Sequence, residues 1–327
     1  MSAPHRTAQK SLRKRVDIRH VSSARALHSI VTLATHLWHS SMAFRLPLDD
    51  VHRGIRLIAR DQAARLKRAA AKPSPESALR QRKCLKKLRA LVSLTQTAGQ
   101  AGACRRLDRA LRNHGRSLAA AREQVALAET LDRLIASKAP VSPALVRALR
   151  KALRLSQQRA ITPATRADLA KLIQHISRFA WDRLTAARII ANASRTYRDA
   201  RRALTSAVDA DTSVAFHDWR KRVQRHLRHM QLLADLWPED LALRVAAAKH
   251  LARLLGEDHD LHVFSVWLSD QRLTKTNQKA RQRLMKAIGQ RQAELRREAH
   301  TAGLRLFAER PKAFRRRLIA YARLTDR

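Results

Sequence analysis

Residues 216–233 read FHDWRKRVQRHLRHMQLL, and their basic side chains recur at helical spacing. At about 100° per residue, His217, Lys221, Gln224 and Arg228 form one column, with Arg220 and Arg225 beside it. Several cations and an imidazole on one rigid element are suited to holding an anion. Arginine offers paired donors to phosphate-type oxygens, lysine a mobile point charge, and histidine a donor that strengthens as pH falls. Asp218 follows His217 directly and points about 100° away, so the column is expected to stand free of acids. Trp219, Val223, Leu227, Met230 and Leu233 fall on the opposite side and require a core to dock on.

The same pattern occurs earlier, in residues 79–94, LRQRKCLKKLRALVSL, at a constant offset of 138. Arg82 then stands for Arg220, Lys83 for Lys221, Lys86 for Gln224 and Lys87 for Arg225, while Leu79 occupies the position of His217. Cys84, Leu85, Leu88, Leu91 and Val92 share the apolar side. Two copies of a basic helix point to internal duplication. Further cations precede each copy, Arg56 before the first and Arg198 and Arg202 before the second. A segment LLGEDHDLHVF follows the second copy, and at offset 137 its His259-Asp260 aligns with Arg122-Glu123. Glu257, Asp258, His259 and Asp260 read as capping or salt-bridging groups at a helix bend, with no spacing that marks a metal site. His226 projects toward the apolar side and reads as a core group.

The elements that must position these residues are helices. The chain has 327 residues, 45% apolar content, 4% aromatics and only 7 glycines, and it carries no clear strand or hairpin pattern. Sixty-eight Lys and Arg against 26 Asp and Glu leave a net charge of +42, which calls for a polyanionic partner. No apolar run is long enough to span a bilayer, and Cys84 and Cys104 read as free thiols in a reducing, cytoplasmic setting. Residues 1–45 hold eight Lys/Arg and five His with Asp17 the only acid, and His36 and His39 interrupt any signal-peptide core. That composition resembles a transit peptide or membrane-surface helix, but a partly disordered basic arm is the favoured reading.

From residue 49 the helical text is continuous, and about four principal helices per half are expected. One long helix is expected over 104–137, a proline-opened helix after Thr162, a join near 185–192, closure of the second basic helix at Trp237-Pro238, and a break or bend at Gly256. Two antiparallel bundles related by a pseudo-twofold follow, one over 46–187 and one over 188–327.

These segments resemble the CHAD (conserved histidine α-helical) domain family over residues 48–324. FHDWRKRVQRHLRHMQLL is similar to its His-x-x-Arg-Lys helix, LARLLGEDHDLHVF to its Leu-Gly-x-x-His-Asp-Leu segment, RKCLKKLRAL to its first basic helix and LFAERPKAFRRRL to its closing helix. The resemblance implies an all-α fold of two four-helix bundles with a basic central cleft that binds inorganic polyphosphate. Here Leu79 replaces the first-half histidine, Gln224 a usual lysine and Glu123 a usual aspartate. The expected contacts are Arg82, Lys83, Lys86, Lys87, His217, Arg220, Lys221, Arg225 and Arg228, joined by Arg56, Arg198 and Arg202. No cofactor and no catalysis are expected, and association with polyphosphate-containing granules is a corollary. Nucleic-acid binding is the alternative, disfavoured because the basic columns lack interleaved aromatics and no standard reader motif occurs. A phosphoanhydride-processing enzyme ranks third, because no carboxylate pair or glycine-rich phosphate loop is present.

Overall fold

The structure, a computed structural model, describes residues 44–47, 50–72, 74–97, 99–159, 166–181 and 184–325. Among the described residues there are eleven α-helices and no strand, so the protein is all-α. The first six are α1 (Val51–Ala70), α2 (Pro75–Leu94), α3 (Ala101–Ser117), α4 (Ala119–Ala136), α5 (Pro143–Arg159) and α6 (Arg166–Arg178). The remaining five are α7 (Ala186–Ala210), α8 (Ser213–Leu232), α9 (Pro238–Ser269), α10 (Lys275–Leu306) and α11 (Pro311–Thr325). No helix among the described residues is long and apolar enough to cross a membrane. The reading of residues 1–45 as a basic arm, and of Thr162-Pro163 as a helix start, falls almost wholly outside the described residues. Phe44 and Arg45 are the exception, and they do not belong to a free arm. Phe44 is buried, Arg45 pairs with Asp235 at 3.1 Å, and the Leu46 amide donates to the Leu232 carbonyl at 2.8 Å.

Local chemistry starts the two basic helices at matched positions. Ser74 and Ser77 form a reciprocal capping box ahead of α2, where Pro75 occupies the first turn. Thr212 caps α8 by accepting from the Ala215 amide, directly after Asp211 ends α7 in the left-handed region at φ 40°. α2 and α8 consequently begin and end at positions 138 apart.

Their buried faces fill the core. Trp219, Val223 and Met230 on α8 and Leu85, Leu88 and Leu91 on α2 are almost fully enclosed, and His226 joins them as expected. α1, α2, α3 and α6 pack in a closed ring, each against the next. α7, α8, α9 and α10 do the same, with α11 laid on α7. The two groups meet where α2 touches α7 and α8, and α4 and α5, outside the first ring, touch α9 and α10. Buried Asn192 on α7 pins the junction by donating to the Leu94 and Gln96 carbonyls at 2.7 and 2.9 Å.

The helix breaks fall elsewhere than expected. The long helix over 104–137 is two, with Leu118 between α3 and α4, while α9 runs unbroken for 32 residues through Gly256. At the offset of 137 that aligns this segment, Gly256 stands opposite Ala119, the first residue of α4, yet only the first half breaks there. On the first side Arg82 Nη1 donates to the Gly115 carbonyl at 2.6 Å, one turn before the residue 119 amide. In the second copy the Arg220 guanidinium merely lies over Gly256, 3.7 Å from where a Cβ would stand. Packing of α9 on α8, α10 and α4 outweighs the roughly 1 kcal/mol helix penalty of a glycine. Pro238 likewise opens α9 instead of closing α8, which ends at Leu232 before the short 3₁₀ turn Ala234–Leu236.

Gly303 on α10 is required by this packing. A Cβ there would stand 2.6 Å from Cζ2 and 2.9 Å from Cη2 of Trp219, whose fully buried ring has nowhere to retreat. Gly303→Ala is therefore expected to cost about 3 kcal/mol, at the upper end of overpacking effects, despite alanine's better helix propensity. Urea denaturation that gives an unchanged or higher midpoint would contradict this packing.

Candidate functional site

The exposed sides of α2 and α8 converge on a cleft of about 440 Å³ that α4 and α9 complete. α2 contributes Arg82, Lys83 and Lys86, with Leu79 at the wall. α8 contributes Arg220 and Arg228, α4 brings Arg122 and Glu123, and α9 brings His259 and Asp260. Six Lys and Arg thus face two carboxylates. One of those is committed elsewhere, because Asp260 receives Arg133 at 3.3 Å.

A second groove of about 250 Å³ between α2 and α3 shares Arg82 and Lys86 with the cleft and adds Arg89, Arg112 and Arg116. The break at Leu118 lies beside it, so the basic surface continues around α2. Among the described residues, Arg89 and Arg112 are the groove cations that meet an acid, both pairing with Asp108, at 2.7 and 3.2 Å.

The crowding of cations leaves a clear electrostatic mark. Burial, reinforced by Arg228, Arg220, Arg82 and Arg122, pushes the Lys86 amine down to about 7. Burial, with Arg89, lowers Arg228 to about 10, and its Nη1 donates only to its own helix at the Gln224 carbonyl, 2.6 Å away. Burial also lowers Arg220, with Asp260 opposing and Arg122 and Arg82 reinforcing the fall. Its Nε is buried without a hydrogen-bond partner among the described residues. An unpartnered guanidinium nitrogen among other cations is costly unless a ligand meets it.

His217 stands one ring behind the cleft wall, its Nδ1 3.1 Å from Nδ1 of His259. One nitrogen must donate and the other accept, so the two Nδ1 atoms cannot both be protonated and at least one ring is neutral. Burial followed by Arg220 and His217 pushes His259 down to about 3, and burial followed by Lys221 and Arg220 lowers His217. Where the second copy offers this imidazole pair, the first offers Leu79 and Arg122, so the cleft is chemically asymmetric.

Of the residues singled out from sequence, Arg82, Lys83, Lys86, Arg220 and Arg228 line the cleft, and His217 touches it through His259. The others lie apart. Lys87 turns its Nζ over the Phe44 ring, 4.7 Å from the centroid. Lys221 is exposed and paired with Asp218 at 3.1 Å, which corrects the expectation of an acid-free column, since Asp218 reaches back one turn to both Lys221 and Arg222. Arg225 sits in the field of Arg89 and Asp108. Arg202 shares a groove with Asp199, Asp218 and Arg222, Arg198 lies between α7 and α11, and Arg56 is exposed on α1.

Sequence reasoning missed Arg122 and took His259 for a purely structural group. The alignment of Arg122-Glu123 with His259-Asp260 was the available signal, and the structure brings all four residues to one cleft. The salt-bridging expected of their neighbours is present, as Glu257 meets Arg291 and Asp258 meets Arg296, each at 3.1 Å. His229 was also missed. Fully buried and 3.0 Å from both the Ala90 carbonyl and Ser93 Oγ, it ties α8 to α2 and so fixes how the two basic faces meet.

No curated protein and no solved structure matches the chain. The family model of the CHAD domain matches residues 54–269, more than half of the chain and the whole of the four helices that wall the cleft, and the protein belongs to that family.

Proposed function

We propose that the cleft binds inorganic polyphosphate and holds it without cleaving it. The observation that carries this reading is the convergence of Arg82, Lys83, Lys86, Arg122, Arg220 and Arg228 from three helices, with a buried Arg220 Nε left without a partner. A phosphate chain has no base or sugar edge, so recognition rests on cations held at repeated spacing by rigid elements. Helices supply that spacing at about 5.4 Å per turn, and arginine geometry matches pairs of phosphate oxygens. The cleft lining contains no Phe, Tyr or Trp for base stacking, which favours a bare phosphate chain over nucleic acid. Of its two carboxylates, Glu123 and Asp260, the second is already paired with Arg133.

The test is competition between long-chain polyphosphate and single-stranded RNA of equal total charge near physiological salt, with free phosphate assayed in the same samples. Polyphosphate is expected to displace RNA at equal charge with no phosphate released. Equal affinity for RNA would replace the reading with nucleic-acid binding, and phosphate release would replace it with an enzyme.

A further inference from the structure

A strongly basic surface outside the cleft lies between α7 and α11. Arg195, Arg198 and Arg201 on one helix face Arg310, Lys312 and Arg315 at the start of the other, across a groove of about 620 Å³. No acid lines this groove, and none of its residues lines the cleft.

The nearby carboxylates do little to neutralise it. Glu309 precedes Arg310 directly, yet its oxygens are held at 3.0 Å by Arg244 and 2.8 Å by Arg317. Asp199 reaches Arg198 only at 3.8 Å. The two helices are held rigidly together, because the buried Tyr197 and Phe314 rings stack 4.1 Å apart and the Tyr197 hydroxyl donates to the Glu309 carbonyl at 2.8 Å. Two rows of cations are therefore held face to face, Arg198 alone meeting an acid among the described residues and that at 3.8 Å, and no aromatic side chain lines the groove to stack on a base.

We propose that this groove is a second phosphate-chain site, so that one protein bridges two polyphosphate chains. The proposal rests on the reading that the cleft itself binds polyphosphate. The two sites differ in character. The cleft cations, apart from Lys83, are half-buried, whereas those of the groove, apart from Arg201, are exposed and hydrated. The groove is accordingly the weaker site and the first to be lost as salt rises.

The experiment follows light scattering of the full chain titrated with long-chain polyphosphate, alongside calorimetric binding of tripolyphosphate, which is too short to bridge. Wild type is expected to form assemblies that peak at an intermediate ratio and dissolve in excess polyphosphate, as bridging by a two-site protein requires. R195E/R198E/R310E/R315E is expected to lose the assemblies while binding tripolyphosphate within about twofold of wild type, within what exposed charges contribute. R195Q/R198Q/R310Q/R315Q gives a milder check should charge reversal disturb folding, and is expected to reduce the assemblies to the same baseline. R53E/R60E/K67E/R68E on exposed positions of α1 makes the same change in net charge elsewhere and is expected to leave them intact.

Assemblies that survive in both groove variants, or vanish equally in the α1 variant, would overturn the proposal. So would loss of tripolyphosphate binding along with the assemblies, because the groove would then not be a separate site. Failure of wild type to bind tripolyphosphate at all would instead strike the reading of the cleft.

Discussion

Arg220→Gln combined with Arg228→Gln is expected to weaken long-chain polyphosphate binding at least about a hundredfold. Each charge-assisted hydrogen bond from a half-buried arginine is worth about 1.5–3 kcal/mol, and 1.4 kcal/mol is a factor of ten. Both side chains are half-buried in the cleft wall, and neither is committed to an acid. Lys221 on the same helix provides the contrast. It is exposed and already engaged with Asp218, so Lys221→Gln is expected to change affinity less than about threefold. The double variant should also flatten the dependence of log K on log salt by roughly one to two units, as two phosphate contacts are lost. Titration at several salt concentrations, with thermal melting as a check on folding, reads all of this. Equal losses in the Lys221 and the Arg220/Arg228 variants would mean that net charge alone governs binding and that the cleft has no special role.

That contrast also marks what the amino-acid pattern carried and what it did not. The registration of α2 on α8 was legible because one periodicity governs both faces, and both helices carry caps at the same offset. Ser74 and Thr212 stand 138 apart, as Arg82 and Arg220 do. The helix phase separated core from solvent correctly, as burial of Trp219, Val223 and Met230 shows. Phase alone could not say which cations on the polar side meet across the cleft, since that depends on how two helices cross. Lys221 and Arg228 belong to one column, yet one pairs with a nearby carboxylate and the other is half-buried in the cleft wall. Arg198 and Arg202 precede the second basic helix just as Arg56 precedes the first, but packing of α7 against α11 turns Arg198 to another groove. The break at Leu118 was illegible for a related reason. Glycine is the residue that invites a bend, yet α9 runs through Gly256, and the Arg82 contact with the Gly115 carbonyl is a tertiary event with no local trace.

Lys86 makes the binding reaction sensitive to pH in a direction that can be worked out. In the empty cleft its amine sits at about 7, since it is buried and faces Arg82 on its own helix, Arg122 on α4 and Arg220 and Arg228 on α8, while His259 on α9 stays neutral. A phosphate chain brings negative charge to the same space and restores the amine toward its ordinary value. The bound form therefore holds a proton more tightly than the free form. Affinity is greatest below about 7, where the free cleft is already charged, and falls as pH rises above it, by at most about tenfold per unit for one proton. At pH 8 binding should take up close to one proton, which appears as a calorimetric enthalpy that varies with the ionisation enthalpy of the buffer. Lys86→Met should abolish most of that variation and flatten the profile above neutrality, while the imidazoles of His217 and His259, both held low in the empty protein, sustain a separate rise in affinity on the acid side. The same group acts oppositely on folding. Between about 7 and the ordinary lysine value the unfolded chain binds a proton that the empty cleft refuses, so stability contributed here grows as pH rises across that window. Enthalpies independent of buffer, or an unaltered profile in Lys86→Met, would show that the cleft cations are relieved of one another by some means other than an anionic chain between them.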